Sequence, residues 1–229
     1  MNPLRTVIYC SVVIGVSATH GQDSSIEQLI KKLPPPEEVA RSTPQLDPSL
    51  RDPLAKDIVA SVKAMNFGNA LTSSQRLAAK YPNSAVAQCL HGNLALALHR
   101  FPEASSAFRK SISIQPKFTV AYLGLGIAEA WQNHLDTAMA NYRHVTQVSP
   151  KAESAWIGLS SCAQKLGRLR DSVQYAKQAT TVAPGSWIAW NRLATAEKAV
   201  GDNQAFSSAF NHANELRRKT ATKTTVQKG

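Results

Sequence analysis

The chain has 229 residues, 18% charged and 43% apolar, which is enough for one or two globular domains and excludes a wholly disordered or fibrous chain. The formal net charge is +11: residues 1–150 hold 14 Lys/Arg against 10 Asp/Glu, giving +4, and residues 151–229 hold 12 against 5, giving +7. The basic excess therefore collects toward the C-terminus, at Arg217, Arg218, Lys219, Lys223 and Lys228. It offers a contact to an anionic surface, or it simply keeps the chain soluble.

The first residues read as an export signal. Arg5 supplies a positive start, Val7 to Val16 an apolar run, and small and polar residues follow. Cleavage is expected after Gly21 or after Ala18, with Gly21 leaving the more ordinary spacer. The run is shorter than the roughly 20 residues a bilayer-spanning helix needs. A signal peptide over 1–21 predicts an exported protein, periplasmic or secreted. Its removal leaves Cys89 and Cys162, which are 73 residues apart and lack metal-ligand spacing. Residues 22–50 form a Pro-rich flexible lead-in, with Pro34, Pro35, Pro36, Pro44 and Pro48. It holds one short amphipathic helix candidate, Ile26 to Leu33.

From residue 51 the chain is periodic. Pro82, Pro116, Pro150 and Pro184 follow one another every 34 residues, and a fixed period of this size signals stacked repeats. Written in rows of that length, the third position is Ala87, Ala121, Ala155 and Ala189. The fourth is Gln88, Tyr122, Trp156 and Trp190, and the eighth is small: Gly92, Gly126, Ser160 and Ala194. The twentieth reads Ala104, Ala138, Ser172 and Phe206, and the twenty-fourth Phe108, Tyr142, Ala176 and Phe210. Each row carries two segments of helical periodicity. They meet at turn signals such as Asn133-His134, Gly167-Arg168 and Gly201-Asp202. These segments predict helical hairpins.

The columns resemble the tetratricopeptide repeat family, with an aromatic at four, Leu-Gly at seven and eight, a small residue at twenty, an aromatic at twenty-four and Pro at thirty-two. The expected fold is all-α, a right-handed α-solenoid of about five 34-residue helix-turn-helix repeats over 51–84, 85–118, 119–152, 153–186 and 187–220. A basic disordered tail over 221–229 is expected to follow. Gly126, at position eight, is expected to let its helix approach Ala138 of its partner. Gly124, at position six, is expected on a more open face.

The resemblance also implies a groove, because the family grips peptides along the inner positions of each first helix. Here these include Val86, Cys89 and Asn93, then Val120, Leu123, Ile127 and Trp131, then Ile157 and Lys165, and then Asn191 and Lys198. Cys89 is expected as a free thiol facing this groove. The middle is apolar and the C-terminal part polar and basic, which suits a protein or peptide ligand with an apolar segment and acidic residues at one end. The Lys, Asn and Arg set of the family's carboxylate-gripping members is missing, since positions five and six carry Ala55, Cys89, Leu123 and Lys56, Leu90, Gly124.

No catalytic constellation emerges. The six histidines include no pair at helical metal-ligand spacing. No serine sits in a GxSxG context, and a phosphate loop lacks its third glycine and preceding strand. His91 falls in a core column and is read as a packed histidine. The expectation is an exported scaffold that is not an enzyme, with no cofactor, no metal and no nucleic-acid ligand. The alternative is a surface- or polyanion-binding protein acting through its basic C-terminal end.

Overall fold

The computed structural model describes residues 47–226, with side chains described to residue 220. The sequence readings on residues 1–46, namely the signal peptide, most of the lead-in and the Ile26 to Leu33 helix, lie outside the described residues. Those described are all-α, ten helices in five helix-turn-helix units with no strand among them. They divide into two compact units.

Unit 1 covers the described residues up to Gln132. A short 3₁₀ turn, Pro48–Arg51, leads into α1 (Pro53–Lys63), α2 (Phe67–Lys80), α3 (Ala85–Ala97), α4 (Phe101–Ile114) and α5 (Thr119–Trp131). Unit 2 begins at Asn133 and holds α6 (Leu135–Val148), α7 (Glu153–Lys165), α8 (Leu169–Val182), α9 (Trp187–Val200) and α10 (Asn203–Val226).

Side chains that satisfy exposed amides fix the helix starts. The Leu54 amide donates to Asp52 at 2.9 Å, the Ala87 amide to Ser84 at 3.0 Å and the Ala205 amide to Asp202 at 2.9 Å. The phased prolines Pro82, Pro116, Pro150 and Pro184 lie in the loops between helix pairs, where no helical amide is missed. Inside each pair the turn passes through one residue of positive φ: Met65 at 57°, His99 at 58°, Asn133 at 64°, Gly167 at 73° and Gly201 at 86°.

Small residues set the helix approach. In unit 2 the eighth- and twentieth-position residues Ser160 and Ser172 bring their hydroxyls within 3.1 Å, and the Ser172 hydroxyl donates to the Ser160 carbonyl at 2.9 Å. Gly126 of α5 and Ala138 of α6 are both buried.

Position six behaves differently from the sequence reading. Gly124 is buried, not open, because it lies beneath Phe108 of the preceding helix pair. A Cβ built on it would stand 2.4 Å from that ring. Gly158 repeats the arrangement under Tyr142, at 2.5 Å. An aromatic ring at position twenty-four thus needs a glycine at position six of the next first helix.

Polar ties fasten loops and helices as well. The Trp156 indole N–H donates to the Pro150 carbonyl at 2.8 Å, and Trp190 makes the same bond to Pro184 at 2.9 Å. Two buried carboxylates meet cations of a neighbouring helix: Glu129 with Arg109 at 2.6 Å, and Glu197 with Lys177 at 3.3 Å. A third, Asp52, meets Lys80 at 2.5 Å.

The C-terminal end differs from the expected tail. α10 runs through Val226 as a helix of 24 residues. No Gly or Pro occurs within it, so nothing in the backbone ends it at residue 220.

Candidate functional site

In unit 1 the expected groove residues fall into two sets. α3 is apolar nearly all round and buries eleven of its thirteen residues, as a helix enclosed by neighbours should. Cys89 and Asn93 are therefore buried, and Val86 is half-buried. Cys89 is free but has no exposed surface. Burial pushes its thiol up to about 12, so it is inert rather than presented to a ligand. The Asn93 amide donates to its sulfur at 3.8 Å.

α5 carries the open part. Val120 is exposed, Leu123 and Ile127 are half-buried, and Trp131 is 52% exposed. The Trp131 ring stacks on Phe101, with centroids 5.5 Å apart and planes parallel, and His99 meets it edge-on at 6.5 Å. The next residue ties α5 to α4, as the Gln132 amide donates to the Ser105 hydroxyl at 2.8 Å. Trp131 is thus an apolar plate fixed on one side and open on the other. Such a rigid aromatic suits an interface because little side-chain freedom is lost on binding.

In unit 2 Ile157 and Asn191 are half-buried, while Lys165 and Lys198 are exposed. The Lys198 ammonium lies 5.5 Å from the Phe206 ring centroid. The sequence reading missed Arg192. This residue holds position six, where the two preceding first helices have Gly158 and Gly124. Its guanidinium donates to the Gln164 amide oxygen, and to the Ser161 and Ser172 hydroxyls at 3.5 Å each. The signal was present: a charged residue stands in a column otherwise apolar or Gly after the first row.

The buried polar cluster of unit 1 looks superficially catalytic. Ser74 Oγ lies 3.2 Å from His91 Nδ1, and His91 Nε2 lies 3.2 Å from Glu103 Oε1. The serine has no exposed surface and donates to the Leu71 carbonyl at 2.7 Å. With no approach for a substrate, the cluster ties α2, α3 and α4 together, and His91 is a packed residue. Among the described residues no group of three or more His, Cys, Asp or Glu could hold a metal. No described helix is long and apolar enough to cross a membrane.

Residues 153–186, which span α7 and α8, match the family model for a tetratricopeptide repeat. No curated protein matches the sequence. Solved structures do match. One crystal structure of MamA is 15% identical, with a TM-score of 0.64 over 78% of this chain and 99% of that one. MamA from Desulfovibrio magneticus RS-1, residues 41 to the end, is 16% identical, with a TM-score of 0.66 over 72% and 94%. At such identity the likeness shows the fold. The expectation of an exported protein, periplasmic or secreted, draws no support from this likeness and is not carried further. The chain has a tetratricopeptide-like helical-repeat fold.

Proposed function

We propose that this chain is a non-catalytic scaffold built of five right-handed 34-residue repeats, and that it binds a protein or peptide partner along the inner faces of its first helices. The observation that carries the reading is Trp131. It is a large aromatic held parallel to Phe101 at 5.5 Å and left half-open, beside exposed Val120 and half-buried Leu123 and Ile127. An apolar segment of a partner would seat against this face, helical or extended. Cys89 and Asn93 would act only by supporting α3 from within.

The test is capture of partners from a cell extract by the full chain at low and high salt, beside a Leu123→Glu/Ile127→Glu variant with unchanged helicity. A partner held at high salt by the parent and lost by the variant supports the apolar face. Partners that leave both proteins equally as salt rises would transfer binding to the basic residues of α10.

A further inference from the structure

The first helices α3 and α7 pack against the same three kinds of neighbour: the second helix before, their own second helix and the next first helix. For α3 these are α2, α4 and α5, and for α7 they are α6, α8 and α9. Their inner faces nonetheless differ. At positions five, nine and twelve α7 carries Ile157, Ser161 and Gln164, all half-buried. At the same positions α3 carries Cys89, Asn93 and Leu96, which are 0%, 4% and 0% exposed. Repeat packing therefore does not account for the closure of α3. α1 is closed in the same way. Ala55 and Val62 hold its positions five and twelve and are buried, although no described repeat precedes α1.

Among the described elements one more touches α3, the 3₁₀ turn Pro48–Arg51. It is tied to the start of the helix, where the Ser84 hydroxyl donates to Asp47 at 2.7 Å and lies 3.2 Å from the Ser49 hydroxyl. Its four residues span about 8 Å. Leu96 lies about 18 Å along the helix from Ser84, beyond the reach of the turn. The cover on Asn93 and Leu96 comes from elsewhere, and the chain preceding Asp47 arrives beside the first turn of α3.

We propose that residues 26–33 of the same chain supply this cover, seated as a short helix on the inner faces of α3 and α1. Ile26, Leu29, Ile30 and Leu33 recur at the spacing of one apolar helical stripe, and Pro34 bars the helix from continuing. Eight helical residues are about 12 Å long, and positions five to twelve of α3 extend over about 10 Å. Cys89 and Ala97 are small, so a second helix can lie close to α3. Residues 34–46 reach about 40 Å at full extension, which exceeds the length of α3. The tether makes docking intramolecular, so a free ligand of similar affinity loses to it. The inner surface is thereby divided. The chain itself takes the part on α1 and α3, and an external partner is left with Leu123, Ile127 and Trp131 on α5. The self-docking stands whether or not α5 binds a partner.

The test follows reaction of Cys89 with a water-soluble aromatic disulfide in the full chain carrying Cys10→Ser/Cys162→Ser, which leaves one thiol. Helicity and thermal unfolding are recorded for each variant. The parent should react slowly, at a rate independent of protein concentration. Leu29→Glu/Leu33→Glu should speed the reaction about ten-fold or more, because a covered thiol reacts only when its cover opens. Lys31→Glu/Lys32→Glu, away from the apolar stripe, should change the rate by less than about two-fold. Cys162, left alone by Cys10→Ser/Cys89→Ser, reports on unit 2 and should be indifferent to Leu29→Glu/Leu33→Glu. A second measurement needs no disruption of the segment. Ile26→Cys, Leu29→Cys, Ile30→Cys and Leu33→Cys are introduced one at a time into the Cys10→Ser/Cys162→Ser chain. Mild oxidation should join at least one of them to Cys89 within a single chain, and Lys32→Cys should not join.

An unchanged Cys89 rate in a folded Leu29→Glu/Leu33→Glu protein would overturn the proposal, as would equal acceleration of Cys162. Protection that disappears on dilution, or bridges formed only between chains, would place a second copy on this face instead. Exposure of Cys89 by Val12→Glu/Val13→Glu and not by Leu29→Glu/Leu33→Glu would assign the cover to the apolar run Val7 to Val16. Absence of a bridge at all four positions would also overturn it. The scaffold reading survives each of these results, because it is decided by Leu123→Glu/Ile127→Glu in the capture experiment.

Discussion

The junction of α4 with α5 in unit 1 and that of α8 with α9 in unit 2 use the same two repeat positions with opposite volumes. In the first, Phe108 fills the space and Gly124 yields to it. In the second, position twenty-four has shrunk to Ala176, and position six has grown to Arg192, which reaches back to Ser172 of α8. The α2 and α3 pair is of the second kind, with Ser74 facing a first helix that carries Leu90. Packing at native density requires one partner to be large and the other small, and it leaves the chemistry of the large one free. Where the large group is a ring, the junction is dry and rigid. Where it is a guanidinium, the junction carries a charge. Phe210 shows the same rule at its limit. It holds position twenty-four of α10 and is 41% exposed, while Phe108 has no exposed surface.

The largest effect should come from removing the ring. Phe108→Ala should cost unit 1 about 3–5 kcal/mol in urea unfolding, the range for deleting a buried phenyl. A loss under about 1 kcal/mol would mean that the α4 and α5 junction collapses onto the void, and the contrast with Ala176 would then be cosmetic.

Next in size is the converse substitution. Gly124→Ala and Gly158→Ala each place a Cβ within 2.5 Å of an aromatic ring, so each should cost about 1–3 kcal/mol by overpacking. Gly124→Ala combined with Phe108→Leu should cost less than the sum of the two, because the smaller side chain makes room. Strict additivity in the double-mutant cycle would show that the two residues do not share a space.

Arg192 should behave unlike both. Replacing it with Met keeps the volume, removes a buried charge and leaves no carboxylate behind, so stability should change by less than about 1 kcal/mol or rise. Lys177→Met should cost more than Arg192→Met, since Glu197 is then left buried beside an apolar side chain.

These junctions also show where the sequence was legible. The proline period and the two helical segments of each row made the all-α architecture of about five helix-turn-helix units legible. The role of Gly124 was not legible from its own row. Its reason is Phe108, in the row before, and only the inverse relation between the two columns exposes it. The candidate surface divides similarly. Trp131 is exposed, while Leu123 and Ile127 are half-buried. Cys89 and Asn93 hold corresponding positions in α3 but are covered, because α3 has neighbours on every side. The warning was the composition of α3, which is apolar nearly all round. Arg192 escaped notice because position six was weighed only in the first three rows, at Lys56, Leu90 and Gly124.

Acid should separate the two units. Burial holds the His91 imidazole below its ordinary value of 6.5, with Glu103 opposing that shift and Arg100 adding to it. Ser74, its partner on α2, carries no charge. The unfolded chain therefore takes up a proton near the ordinary value, while folded unit 1 does not until a lower pH. Stability is unaffected above that value and falls between it and the folded-state value. Thermal unfolding at pH 7.5 and pH 5 should show a smaller loss for His91→Gln than for the parent. Equal losses would mean that Glu103 compensates the proton fully.

The smallest effect concerns the turns. The left-handed residue is Met65, His99 or Asn133 in the first three helix pairs but Gly167 or Gly201 in the last two. An L side chain at that φ is strained by about 1–2 kcal/mol, and glycine returns part of the difference as backbone freedom in the unfolded chain. His99 recovers some of the strain through its edge contacts with Phe101 and Trp131, whereas Met65 is largely exposed. Met65→Gly should then stabilise unit 1 by about 0.5–1 kcal/mol, and Gly167→Ala should destabilise unit 2 by a similar amount. His99→Gly should gain less than Met65→Gly, because it also frees one edge of Trp131. If that variant instead gained as much, the His99 ring would contribute nothing to holding Trp131, and the rigidity of the binding plate would rest on Phe101 alone.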